Sequence, residues 1–176
     1  CPALSPGTPP RVRVDSIGNE AMAGQSREPD ISADGRYVVF LSHASDLVMG
    51  DTNNRADIFR HDRTTGTTIR VNVATDGKES DGRSSESWIS ADGKFVVFRS
   101  AATNLVPGDT NGIADLFRHE IATGVTRRVS VRSDGSEAEA AGGYPRTSAD
   151  GRFVSFMTRA ALVDDDTNGV NDCYVH

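Results

Sequence analysis

Short apolar runs recur along the chain about every 58 residues, and the sequence between them is polar and glycine-rich. Tyr37-Val38-Val39-Phe40, Phe95-Val96-Val97-Phe98 and Phe153-Val154-Ser155-Phe156 each follow the same tetrad, Ser32-Ala33-Asp34-Gly35, Ser90-Ala91-Asp92-Gly93 and Ser148-Ala149-Asp150-Gly151. No stretch carries a sustained helical period, so the runs are predicted to be strands. Two of the three are apolar at successive positions rather than alternating, and both faces of such a strand must be covered. Each unit then divides into four β segments. The first is Glu28 to Ser32, with equivalents at Glu86 to Ser90 and Tyr144 to Ser148. Asp-Gly turns the chain, because glycine accepts positive φ at little cost. The second segment is the apolar run; the third is Asp57 to His61, with equivalents at Asp115 and Asp172; the fourth, after a Thr-Gly turn, is Thr68 to Val73 or Thr126 to Val131.

Four antiparallel strands per unit, buried on both faces and repeated in tandem, describe the blades of a β-propeller. A stacked solenoid is the alternative, but solenoid repeats run shorter and contribute fewer strands each. The fold class expected is therefore all-β, with three repeats in units near 11–68, 69–126 and 127–176 behind a Pro-rich tether at 1–10. An orphan fourth strand around Val12 to Asp15 opens the array, and the third unit lacks a fourth strand of its own. The two defects are complementary. Closed propellers hold about four to eight blades, so three blades read either as half of a six-bladed ring closed by a homodimer or as a piece of a longer chain.

The pattern Ser-x-Asp-Gly-(Arg/Lys)-x-Val-x-Phe, followed by Asp-(Ile/Leu)-Phe and then Thr-Gly, resembles the TolB-type, WD40-like β-propeller repeat over residues 11 to 176. It departs at Ala33, Ala91 and Ala149, where such repeats often carry proline, and in its long Asp-Thr-Asn loop. Similar blades occur in envelope proteins, peptidase side domains and secreted proteins. The resemblance thus implies a fold and leaves function to the site.

Charge and cysteines narrow the partners. A net charge of −6 over 176 residues offers no basic stripe for nucleic acid, and no apolar run approaches the roughly 18 residues of a membrane span. Cys1, followed by Pro2 and a Pro-rich segment, looks like the first residue of a mature bacterial lipoprotein, which would place the protein outside the cytoplasm: periplasmic, secreted or lipid-anchored. Cys173 stands where the other units have Ile58 and Leu116 and is expected to be buried like them.

Candidate chemistry is sparse. His61, His119 and His176 recur once per unit, as structural residues do, and no Gly-x-Ser-x-Gly elbow or phosphate loop is present. Two groups remain. Asp51, Asn53, Asp57, then Asp109, Asn111, Asp115, then Asp166, Asn168, Asp172 place oxygen side chains at i, i+2 and i+6, a partial calcium-loop spacing that competes with an Asx turn leading into the third strand. The first segments differ sharply between units: Glu28 and Asp30, Glu86 and Trp88, Tyr144 and Arg146. First strands line a propeller's channel, and these are recognition-type residues. The sequence therefore reads as a non-enzymatic module binding a protein or a glycan, with no required cofactor beyond a calcium option. The alternative is the propeller portion of a secreted hydrolase or lyase whose catalytic residues lie elsewhere.

Overall fold

The computed structural model describes residues 11–22 and 24–176; the tether and Cys1 lie outside them. Eleven strands form three antiparallel sheets, and no helix occurs among the described residues. Blade one is β1 (Ser26–Ile31), β2 (Tyr37–Ser42), β3 (Asp57–Asp62) and β4 (Thr68–Arg70) in that spatial order. Blade two repeats it with β5 (Ser84–Ile89), β6 (Phe95–Ser100), β7 (Asp115–Glu120) and β8 (Val125–Arg128). Blade three has three strands, β9 (Gly142–Thr147), β10 (Val154–Thr158) and β11 (Asp172–Val175). The segment expected as an orphan strand forms one isolated bridge, Val14 with Glu20, matching Val73 with Glu79 and Val131 with Glu137.

The Asp-Gly tetrad builds its turn from its own side chains. Ser32 Oγ donates to Asp34 Oδ1 at 2.6 Å, the Arg36 amide donates to the same oxygen at 2.9 Å, and Tyr37 N–H donates to Ser32 Oγ at 2.9 Å. Gly35 takes the positive φ of 71° that the turn requires. The carboxylate is engaged by one hydroxyl and one backbone amide, as in an Asx turn.

There is no common centre to the core. One apolar cluster joins Val39, Leu41, Ile58 and Val71 of blade one to Ile89, Val96 and Phe98 of blade two, and another joins Val97, Leu116 and Val129 to Val154, Phe156 and Leu162 of blade three. Each blade buries its face against the next, as stacked repeats do. Polar pegs fix the same contacts. Tyr37 lies against Gly93, where a Cβ would collide with the ring; Arg60 sits 4.2 Å above that ring and donates to Gly93 O at 3.0 Å. Phe95, Gly151 and Arg118 repeat the arrangement one blade on.

Among the described residues no blade packs on the outer face of blade three, and side chains there are exposed. Phe153, the counterpart of Tyr37 and Phe95, is 52% exposed. Cys173 is exposed too, contrary to the burial expected from its alignment with Ile58 and Leu116. Those two are covered by the blade that follows theirs, so the site is buried by a neighbour and not by its own sheet.

His61 and His119 are structural, as expected. Each is buried with Nδ1 2.9 Å from a threonine hydroxyl, Thr68 or Thr126. Thr126 Oγ1 spends its proton on Val73 O, and Thr68 Oγ1 on Val14 O, so each histidine donates from Nδ1. The threonine of a fourth strand is thereby clasped by the segment that precedes its blade.

Candidate functional site

Each first strand carries a bulge at one equivalent position. Glu28, Glu86 and Tyr144 sit there with φ of 55°, 52° and 55°, a left-handed conformation that L-residues hold only when something compensates. The compensation runs between blades: Glu86 N–H donates to Glu28 Oε2 at 2.8 Å, and Tyr144 N–H donates to Glu86 Oε2 at 2.7 Å. At Glu86 and Tyr144 the bulge turns the amide toward the preceding blade, where a carboxylate receives it.

Two residues further on, Asp30 Oδ2 accepts from Ile89 N–H at 2.9 Å, while Arg146 lays its guanidinium over the Trp88 ring, 3.3 Å from the centroid. Glu28, Pro29, Glu86, Ser87, Trp88, Tyr144 and Arg146 line one cleft of about 320 Å³. Five of the six residues singled out on the first segments therefore meet in one place, and Asp30 does not line it. Trp88 is half-buried and Tyr144 is 70% exposed. The carboxylates are already engaged by amides, so the aromatic faces and the Arg146 cation are what the cleft offers. Pro29 and Ser87 were not singled out in the sequence; they flank the bulge and reach the cleft through its geometry.

The Asp-Thr-Asn loops resolve differently. In blade one, Arg70 Nη1 lies 3.3 Å from Asp51, 3.6 Å from Asp57 and 2.5 Å from Glu79. In blade two, Arg128 Nη1 lies 3.5 Å from Asp109, 3.1 Å from Asp115 and 2.5 Å from Glu137. Asn53 and Asn111 turn their amides toward Asp57 and Asp115 as donors, and their Oδ1 atoms cap the turn on Arg55 and Ile113. Thr52 and Thr110 each give two hydrogen bonds to the glutamate, which with Arg128 hold Glu137 down at about 2. Burial and the charge of Asp115 push Asp109 up, and burial with Asp57 does the same to Asp51. In blade three, Asn168 caps Val170, Asp166 accepts from the Tyr174 hydroxyl, and one buried oxygen of Asp172 has no hydrogen-bond partner. The sequence reading missed Glu79, Glu137 and both arginines. Their signal was the recurring Arg-Val pair with a glutamate nine residues after the arginine, also present as Arg11 and Glu20, which are ion-paired.

No family model matches the chain, and no curated protein matches it. Solved structures do. TolB from Agrobacterium tumefaciens superposes with a TM-score of 0.52 at 19% identity, over 89% of this chain and 46% of that one. The fold is that of TolB-like β-propeller blades. Tricorn protease (TM-score 0.51, 12% identity, 85% of this chain and 12% of that one) and a prolyl endopeptidase (0.51, 14%, 87% and 20%) share it. The chain thus spans less than half the length of each of these proteins. At such identities the TolB-like likeness speaks for the fold alone.

Proposed function

We propose that these TolB-like blades form a non-enzymatic binding module of the cell envelope that holds a segment of a protein partner in the first-strand cleft. The observation that carries the reading is the convergence of Trp88, Tyr144 and Arg146 in one cleft, at the positions where otherwise repetitive blades differ. Aromatic and arginine side chains in a partly desolvated pocket are the usual anchors of recognition. The test uses peptides selected from a random display library on the intact protein. Binding to the wild-type chain and to each variant is then measured by isothermal titration, since Trp88 is the single tryptophan and its emission is lost in Trp88→Ala, with neutral and acidic oligosaccharides titrated in parallel. Peptides that lose about tenfold or more in affinity on Trp88→Ala or Tyr144→Ala support the reading, in keeping with a hot-spot loss of about 2 kcal/mol. Peptides indifferent to both substitutions refute it, and oligosaccharides that bind where peptides do not make the partner a glycan.

The finer reading of assembly is that a second copy covers blade three. Three features of that blade lack what blade one or its leading segment carries. Phe153 is exposed, whereas the Gly35 turn has no aromatic ring against it. Among the described residues no arginine pairs with Asp166 or Asp172, whereas Arg11 with Glu20 repeats Arg70 with Glu79. The Val71 and Val129 amides donate to Ile58 O and Leu116 O, so Val12 of a second copy would donate to Cys173 O. Light scattering is expected to give twice the chain mass. Deleting residues 11–20 is expected to abolish that, and a monomer at micromolar concentration overturns it.

A further inference from the structure

Beside the third strand of blade two, three carboxylates face one guanidinium. Asp109, Asp115 and Glu137 each offer an oxygen within 4.8 Å of the others. Calcium takes oxygen ligands at about 2.3–2.6 Å, so two ligands on opposite sides of the ion lie about 5 Å apart at most. The span fits. Arg128 supplies one positive charge, which leaves two of the three negative charges without a counterpart, the charge of one divalent ion.

Asp109 is the residue that Arg128 does not satisfy. It is 8% exposed, neither of its carboxylate oxygens has a hydrogen-bond partner, and its approach to Arg128 is the longest of the three at 3.5 Å. Asp115 and Glu137 each accept hydrogen bonds and retain lone pairs for an ion. A buried carboxylate without partners either takes up a proton or gains a cation. Asp109 also borders a cleft of about 600 Å³ shared with Asn104, Pro107, Gly108 and Thr110.

We propose that Asp109, Asp115 and Glu137 form a calcium site beside Arg128. The site differs from the spacing read in the sequence: Glu137, from the loop after β8, replaces Asn111, whose amide is turned to Asp115 as a donor. It stands independently of the first-strand cleft. In blade one the corresponding carboxylates surround Arg70, but Asp51 approaches its arginine more closely, at 3.3 Å.

Isothermal titration of calcium chloride into the chelator-stripped full chain, at constant ionic strength and pH 7, tests the proposal. The expected result is one calcium per chain, weaker binding of magnesium, at least a tenfold loss of affinity for Asp109→Asn and none for Asp51→Asn. If Asp109→Asn fails to fold by circular dichroism, Glu137→Gln is read in the same titration. Absence of calcium binding to the wild-type chain up to about 10 mM, an order above the weakest extracellular calcium modules, overturns the site. Binding that survives both substitutions, or magnesium bound as tightly as calcium, overturns it equally.

Discussion

Lowering the pH should loosen the array through His119, by an amount the structure sets. His119 is 4% exposed, and its pKa is depressed to about 4 by burial first and by the Arg60 guanidinium of the preceding blade second, against a smaller pull from Glu120. In the unfolded chain it returns to about 6.5. A depressed folded-state pKa means that the unfolded chain binds the proton first, so stability is intact above about pH 6.5 and is lost progressively toward pH 4. At about 1.4 kcal/mol per unit, the loss between pH 7.5 and pH 5 is about 2 kcal/mol, a substantial part of the roughly 5–15 kcal/mol that holds a domain together. His61 is depressed in the same direction by its own burial, while Asp51 and Asp109, pushed up by theirs, oppose the trend. The total slope is therefore a mixture, and the informative quantity is a difference. Guanidinium unfolding of the wild-type chain and of His119→Gln, followed by circular dichroism at pH 7.5 and pH 5, cancels what the two proteins share. The wild-type chain should lose about 2 kcal/mol more than the variant. Equal losses would show that His119 is solvated or charged in the native state, and the burial argument would fail.

Two further outcomes test the packing between blades. Gly35 and Gly93 have nearly the same φ, 71° and 73°, but only Gly93 has a tyrosine ring against it. Compared in the chain lacking residues 11–20, where no second copy covers Gly35, Gly93→Ala should therefore unfold at lower denaturant than Gly35→Ala by about 1–3 kcal/mol, the usual range for overpacking, and equal midpoints there would remove the Tyr37 contact. Arg146→Met should move the emission of Trp88 and raise its quenching by acrylamide, because the guanidinium that covers the ring is gone; an unchanged spectrum would place Arg146 elsewhere.

What was legible in the sequence is what local chemistry decides. The Asp-Gly turns, the second strand at Tyr37 to Ser42 and the start of the third at Asp57 all fall where the pattern puts them, because each depends on residues a few positions apart. The first strand begins earlier than expected, at Ser26, and the fourth ends at Arg70 and not at Val73. Contacts between distant parts were harder. No glycine marks the bulge at Glu28, Glu86 and Tyr144, and at Glu86 and Tyr144 a hydrogen bond to the carboxylate of the preceding blade, not backbone freedom, holds it there. The pairing of Arg128 with Glu137 crosses a loop, and the exposure of Cys173 depends on a neighbour that its own sheet cannot provide. Of the candidate cleft, the residues could be chosen by comparing repeats, but their meeting in one place follows from how the first strands stack.

The relay of carboxylates along the first strands has a direction and a full stop. Glu28 hands its acceptor to Glu86, and Glu86 to Tyr144, whose phenol has no carboxylate to pass on. A blade docked after the third would bring an amide to that position and find no carboxylate waiting. In a ring of two copies the inner face would then carry two such stops, at opposite seams, each beside a Glu28 N–H with no carboxylate from the blade before it. Those seams would be openings written into an otherwise continuous wall, and a partner bearing its own carboxylate could complete the line there. Restoring the missing letter with Tyr144→Glu would close both openings at once and turn a recognising surface into one more repetition of scaffold.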